Sequence, residues 1–362
     1  MNTDEQISLV EIANRLRDCP PTVDQVTESA LNFYELCHSM SEAYPMQLAP
    51  MKGQLQGLRE HLTEQLLARD PGADTSLEIP TVAPSAIDGA DFAQFIKDPC
   101  PVIFKGAALE TEAVRNWGPQ FFKDNYGDFP CVLASETDWN IQGTIGDAAD
   151  DILGEVESAR YAHNIANIFN DYPDLEAQLE LDRFIPHLGP GRHIGTHLFI
   201  GGSKTGTAFH CANNLNIFFN VYGEKQWFFV HPKHSFWMSG VLQANGSAAE
   251  TQIDHNRAAS EQREAYPLFE QVPVYSALLS PGDVLINPPW WWHAINNVTQ
   301  ATIGCAARWI PMGLERDANP VFSLVQRLVP HAKEVMKVLR DPNARMTDEL
   351  YREQFDRIET DR

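Results

Sequence analysis

Long apolar runs are missing from this sequence. No window approaches the roughly 18 consecutive apolar residues that a membrane-crossing helix needs, so no membrane association is expected. The first twenty residues carry acids where a secretory leader would have a basic start and an apolar stretch, which places the expected location in the cytoplasm. Cysteine is sparse, six in 362 residues. Cys19, Cys37, Cys100, Cys131, Cys211 and Cys305 never fall at CxxC spacing, which argues against a structural zinc site and a disulfide framework. Basic charge is scarce too: 27 Lys and Arg stand against 49 Asp and Glu, a formal net charge of −22. Such a surface repels a phosphate backbone and argues against nucleic acid as a partner, while tolerating a basic peptide. Internal repeats and low-complexity tracts are absent.

What is present changes character twice along the chain. Residues 1–75 carry apolar positions at helical spacing, Ile7, Val10 and Leu16 and then Leu55, Leu58, Leu62 and Leu66, and are expected to form a helical N-terminal segment. A stretch rich in proline, glycine and small polar residues, RDPGADTSLEIPTVAPS, leads out of it. Over residues 76–312, short runs rich in β-branched and aromatic residues alternate with turn clusters: PVIFKG, PCVLAS, GTHLFIGG, NIFFNVYG, KQWFFVHP, DVLINPP and ATIGCAARW. Many short strands at this spacing predict a mainly β domain, an antiparallel barrel or jelly roll. Residues 313–362 are helical again, with Val321, Leu324, Val325 and Leu328, then Val335, Met336, Val338 and Leu339, making an apolar stripe on either side of Pro330. That stripe must pack on its own barrel or form a homodimer interface.

Two histidines stand out among the twelve. His210 lies in TGTAFHCANNLNIFFNVYGEKQW, where polar residues punctuate apolar strand, and His293 lies far downstream in LSPGDVLINPPWWWHAINN. An oxygen-activating iron site needs ligands on one face and open positions opposite, commonly two histidines and a carboxylate. In a barrel, the first histidine and the acid sit two residues apart on one strand, and the second histidine comes from a distant strand.

Over roughly residues 75–312 the chain resembles the JmjC, cupin-like (cupin-8) iron(II)/2-oxoglutarate oxygenases, the asparaginyl hydroxylases of hypoxia-inducible factor among them. PCPVIFKGA, NWGPQFFKDNYGD and PGDVLINPPWWWHAI carry the likeness, together with His210, Asn216 six residues on, Lys225 fifteen on, Thr207 three before and Tyr161 in ARYAHNIANIF. The resemblance implies a double-stranded β-helix core with His210 and His293 as ligands to Fe(II). It also implies that Lys225 holds the distal carboxylate of 2-oxoglutarate, with Tyr161, Thr207 and Asn216 hydrogen-bonding around it and dioxygen as co-substrate.

One position departs from the family. Ala212 stands where the HxD carboxylate belongs, and a methyl group binds no iron. Cys211 and Asn213 are out of phase with it on a strand. Two neutral imidazoles leave the iron charge uncompensated, so an anion should fill the gap. The same substitution marks the iron/2-oxoglutarate halogenases, which implies that chloride or bromide occupies the Ala212 position and is transferred to a substrate carbon after hydrogen-atom abstraction. Two further readings stay open: a hydroxylase or oxidase with a two-histidine site, and a non-catalytic JmjC-like binding protein. A zinc or nickel isomerase would need more ligands near His210, and His193 and His197 are the only neighbours, expected as lining or surface residues. Trp290, Trp291, Trp292 and Phe209 suggest an apolar wall, although such aromatics are more often core, and QIDHNRAASEQREAYPLFEQV a channel-lining insertion. The substrate is a small molecule, free or carrier-bound, or a peptide.

Overall fold

Strand alternation and a few tight turns build the middle of the chain. The structure, a computed structural model, describes residues 23–69, 76–97, 99–135, 138–157, 159–243, 246–312, 319–329, 340–341 and 343–349. Its strands in chain order are β1 (Ser76–Glu78), β2 (Thr81–Val82), β3 (Val102–Phe104), β4 (Pro130–Ala134), β5 (Ile141–Thr144), β6 (Tyr161–Ile165), β7 (Gly191–Gly202) and β8 (Gly206–Ala212). They continue with β9 (Leu215–Tyr222), β10 (Lys225–Val230), β11 (Val241–Leu242), β12 (Ala248–Glu250), β13 (Val274–Leu279), β14 (Val284–Asn287), β15 (Trp292–Asn297) and β16 (Ala301–Pro311).

One sheet runs β1-β13-β10-β15-β8-β12-β11 and the other β2-β3-β14-β9-β16-β7-β6-β4-β5. The strands β7–β10 and β13–β16 alternate between the sheets so that β8, β15, β10 and β13 face β7, β16, β9 and β14. This is the jelly-roll order of a double-stranded β-helix, as the strand pattern predicted. The turns demand particular residues. Gly223 sits at φ +69 in the β9–β10 hairpin, and a Cβ there would lie 2.0 Å from the Ala301 carbonyl, so no other residue fits the turn that delivers Lys225.

Helices cover the outer face of the seven-stranded sheet. Asp24 caps α1 (Gln25–Ala43) by accepting from the Thr27 amide at 2.9 Å. Leu55, Leu62 and Leu66 of α2 (Lys52–Leu67) are buried against the backs of β8, β10 and β15, together with Phe209, Val230, Trp290 and Trp292. Each such leucine contributes about 2 kcal/mol of apolar burial. Helices α3 (Pro119–Tyr126) and α4 (Ile145–Leu153) pack with the other sheet in the larger core. The C-terminal stripe divides. In α5 (Pro320–Leu328), Val325 is buried beside α1 and Val321 packs on the same core, whereas Leu324 and Leu328 are about half exposed. Ile7, Val10, Leu16, Val335, Met336, Val338 and Leu339 lie outside the described residues. No described helix is long and apolar enough to cross a membrane.

Candidate metal and co-substrate site

His210 and His293 are direct cross-strand partners on β8 and β15, with ring centroids 4.2 Å apart. Each ring is locked by its own strand: His210 Nδ1 lies 2.9 Å from the Ala208 carbonyl and His293 Nδ1 2.9 Å from the Trp291 carbonyl. A carbonyl only accepts, so both Nδ1 atoms carry the proton and both Nε2 atoms keep a lone pair. That is the tautomer a metal-binding imidazole requires, oriented by the backbone in the way outer-sphere partners orient metal ligands. Burial holds the pKa of His210 below the usual imidazole value. It holds His293 well below, with the neighbouring His210 ring adding to the effect. Both rings are neutral and ready to ligate.

Ala212 points to the same face two residues on, and the backbone amide of Trp290 donates to its carbonyl at 2.7 Å. Cys211 points the other way, into the helix-covered core, as strand phase required. Burial pushes its thiol pKa well above the ordinary value, so it supplies no thiolate. No group of three His, Cys, Asp or Glu that could hold a metal forms among the described residues. Among the described residues no protein donor completes a third ligand position.

Lys225 is 1% exposed and opens the wall of the same cavity. Its ammonium donates to Asn297 Oδ1 and, at 3.0 Å, to Thr302 Oγ1, both neutral groups. Desolvation pulls its pKa down to about 7. A buried ammonium held only by neutral oxygens wants an anion. Asn216 lines the cavity with a buried Oδ1 that has no hydrogen-bond partner. Tyr161, on β6, is 5% exposed, lines the cavity and stacks on His163 at 5.5 Å.

Thr207 reaches the cavity by an irregularity. Three positions from His210 it belongs on the opposite face of a regular strand, but the register slips between His293↔His210 and Ile295↔Thr207. This bulge turns Thr207 inward. All seven residues singled out from the sequence thus line one cavity of about 850 Å³. The donors suit Fe(II) on the two Nε2 atoms and a dicarboxylate reaching Lys225.

Some expectations need correction. His193 and His197 do not line this cavity: His197 is fully buried on β7, and His193 lies 3.8 Å from Glu176, which Arg345 holds. Between apolar wall and core, the three tryptophans take the commoner role of core: Trp290 at φ +63 sends its own ring and that of Trp292 to the helix side and Trp291 into the larger core. Trp290 Nε1 donates to Ser323 and Trp292 Nε1 to Ser235. Of the insertion, Gln252–Asn256 do line the cavity, while the rest forms short 3-10 turns away from it. Asn213, out of phase as expected for a ligand, borders the cavity from the turn beyond β8.

Sequence reading missed Arg308 and Glu250. Arg308, the lone charge in the strand ATIGCAARWIP, lines the cavity and donates to Asn164 Oδ1 at 2.5 Å. Glu250 stands opposite His210 on β12, a pairing that no local motif announces.

Comparison with known proteins fits this geometry. The chain is similar to the HSPB1-associated protein 1 homolog of Danio rerio, 25% identical over 170 residues, 46% of this chain and 36% of that protein. A JmjC domain-containing protein A of Dictyostelium discoideum is 21% identical over 234 residues, 59% of this chain and 90% of that protein. The Jumonji C domain-containing protein 5 of Drosophila melanogaster is 29% identical over 99 residues, 27% of this chain and 24% of that protein. The chain thus spans about a third of the length of the HSPB1-associated proteins it matches. With residues 89–309 matching the cupin-like domain, more than half its length, the chain belongs to the cupin-like domain family.

Proposed function

We infer that the protein is an iron(II)/2-oxoglutarate-dependent oxidoreductase with a two-histidine centre, and that a halide ion fills the position Ala212 leaves open. The observation that carries the reading is the pairing of two backbone-locked imidazoles with a methyl group at the carboxylate position. Bound iron and 2-oxoglutarate would supply dioxygen activation and hydrogen-atom abstraction from an unactivated C–H bond, and chloride or bromide would be the group transferred. The chain's part is to hold and orient. His210 and His293 would fix the metal, and Lys225 would anchor the distal carboxylate of 2-oxoglutarate from the cavity floor. Asn216, Thr207 and Tyr161 would hydrogen-bond around that co-substrate, and the Trp227 ring stacked 5.8 Å from His293 keeps water from the back of the ligand. Retention of a buried lysine and an unpartnered buried amide supports a working site over a relic, since both cost stability unless a ligand answers them.

The test is an anaerobic titration of the protein with Fe(II) and 2-oxoglutarate, following the visible metal-to-ligand charge-transfer band with and without chloride. A band that shifts or tightens with chloride supports the halide position. A band indifferent to halide points to a two-histidine hydroxylase, and no band under any condition points to a non-catalytic binding protein.

A further inference from the structure

A strap from beyond the family domain forms part of the cavity wall. Residues 89–309 match the cupin-like domain, yet Met346 and Asp348, each 6% exposed, line the cavity. Met346 packs on Ile194 and Ile310 in a small apolar cluster apart from the two large cores. Its backbone amide donates to the Ile194 carbonyl at 2.7 Å, and its carbonyl accepts from Asn170 Nδ2 at 3.0 Å. On the near side, Arg345 Nη2 donates to both carboxylate oxygens of Glu176, at 2.7 and 2.6 Å, and Arg192 donates to the Asp341 and Ala344 carbonyls at 2.6 and 2.7 Å. A segment fastened by polar bonds around so small a cluster can open without unfolding the barrel.

The last fastening reaches into the site. Asp348 Oδ1 accepts from the backbone amides of Ala166 and Asn167 at 2.6 and 3.0 Å, directly after β6. Just before this point β6 bulges: Ala162 pairs with Ile200 and Ile165 with Leu198, so His163 and Asn164 together stand against Phe199 alone. Asn164 takes φ +55, a left-handed conformation that a residue other than glycine keeps only when its surroundings hold it there. Those surroundings have two ends. On the cavity side, Arg308 donates to Asn164 Oδ1 at 2.5 Å, which fixes the amide so that its Nδ2 donates to His163 Nδ1 at 3.1 Å. His163 then carries its proton on Nε2, and its ring stacks on that of Tyr161 at 5.5 Å. On the other side stands Asp348, so a continuous set of contacts runs from the strap to Tyr161.

We propose that the strap is a latch on the co-substrate wall: docked, Asp348 holds the β6 bulge in the form that keeps Tyr161, His163 and Asn164 on the cavity, and undocked, it lets the bulge relax and 2-oxoglutarate binding falls. Asp348 is a positioning residue that acts through β6. The co-substrate end of this coupling rests on the oxidoreductase reading above; the hold on β6 does not.

The experiment is hydrogen–deuterium exchange read by mass spectrometry on the full metal-free chain, paired with calorimetric titration of 2-oxoglutarate in the presence of Mn(II). Asp348→Ala is expected to speed exchange over residues 162–167 and to weaken 2-oxoglutarate binding, each at least about tenfold, while β9 and β14 keep their wild-type exchange. Asp348→Asn keeps an acceptor oxygen for both amides and should bring both readouts back to within about threefold of wild type. Arg345→Met, at the far fastening, should speed exchange in residues 343–349 and 162–167 together, which a local cap at Asp348 would not do. Faster exchange confined to residues 343–349 in that variant, or an Asp348→Ala protein in which residues 162–167 stay protected, overturns the latch. So does full 2-oxoglutarate affinity in an Asp348→Ala protein whose β6 exchanges faster, since Asp348 is then a structural cap alone. Should Asp348→Ala loosen β9 and β14 as well, Arg345→Met decides by the same two readouts. If wild type binds no 2-oxoglutarate, the oxidoreductase reading fails and exchange alone decides: coupled exchange of strap and β6 upholds the hold on β6, and uncoupled exchange overturns it.

Discussion

Replacing Lys225 with methionine should move folding stability and co-substrate binding in opposite directions. In the folded protein, desolvation lowers the lysine pKa from its ordinary 10.5 to about 7. The unfolded chain therefore binds the extra proton between pH 7 and 10.5, and stability rises with pH through that window, while below pH 7 the folded state bears the full cost. At about 1.4 kcal/mol per tenfold, that cost is about 5 kcal/mol. Methionine fills a similar volume without it, but leaves Asn297 Oδ1 without its ammonium donor, a loss of about 1–3 kcal/mol. The metal-free Lys225→Met protein should then be more stable than wild type by about 2–4 kcal/mol at pH 6, and the gain should shrink toward pH 10. Binding goes the other way. Removing the ammonium from under a buried carboxylate costs about 3–5 kcal/mol, so 2-oxoglutarate affinity should fall by roughly two to three and a half orders of magnitude. Urea unfolding at pH 6 and pH 9, with calorimetric titration of 2-oxoglutarate in the presence of Mn(II), reads both quantities. A variant that loses stability and binds 2-oxoglutarate normally would refute the assignment, because a merely structural lysine behaves that way. In wild type the same group should take up a proton as the dicarboxylate binds, so apparent affinity should drop about tenfold per pH unit above 7.

Three further changes test the neighbouring geometry. Ala212→Asp would return a carboxylate to the face shared by His210 and His293; Fe(II) affinity should rise and the response of the charge-transfer band to chloride should vanish, and a persisting chloride response would sink the halide position. Gly304→Ala places a Cβ 2.3 Å from the Phe218 ring and 3.2 Å from Lys225 Cε; thermal unfolding should show a loss of about 1–3 kcal/mol, with 2-oxoglutarate binding weakened in parallel. Asp283, 1% exposed, accepts from the Gly106 and Ser280 amides at 2.9 and 2.8 Å and from Lys105 Nζ at 2.8 Å. Asp283→Ala strands those two amides and should cost about 3 kcal/mol in chemical denaturation without altering metal affinity.

The barrel was legible because five of its eight strands, β7, β9, β10, β14 and β16, are runs rich in β-branched and aromatic residues bounded by turn residues, whereas β13 carried no such signal and β8 and β15 stood out through their histidines. The phase argument about Cys211 also held, since period-two alternation leaves no freedom on the regular half of β8. The same argument applied to Thr207 would have failed, because an extra residue in β8, where two residues oppose one of β15, breaks the alternation and sequence carries no sign of it. Resemblance, not periodicity, placed that threonine. Sequence left the tryptophans open between wall and core for a similar reason: a left-handed backbone at Trp290, which no local pattern announces, rotates the run so that all three rings enter packed cores. Glu250 and Gln243 were illegible because their positions depend on which strand pairs with β8 and in what register, long-range facts that no short motif encodes.

These positions together bear on what the missing carboxylate means. A scaffold relieved of chemistry would gain from an apolar residue at Lys225, and from a hydrophobic isostere at Asn214, Asn216 or Gln243, because each of these buries polar atoms that the protein itself leaves unanswered or answers only in part. The burdens lie on both sides of the paired histidines: Lys225 and Asn216 where a dicarboxylate would extend, Gln243 and Asn214 beyond the Ala212 gap. The first set suits an anionic ligand and the second a donor-bearing one, on either side of two imidazoles whose lone pairs the backbone has already aimed. On the proposed reading Ala212 widens a coordination position, and the variant that fills it, Ala212→Asp, should change which anion the metal accepts while leaving the Lys225 end of the cavity able to bind its own ligand.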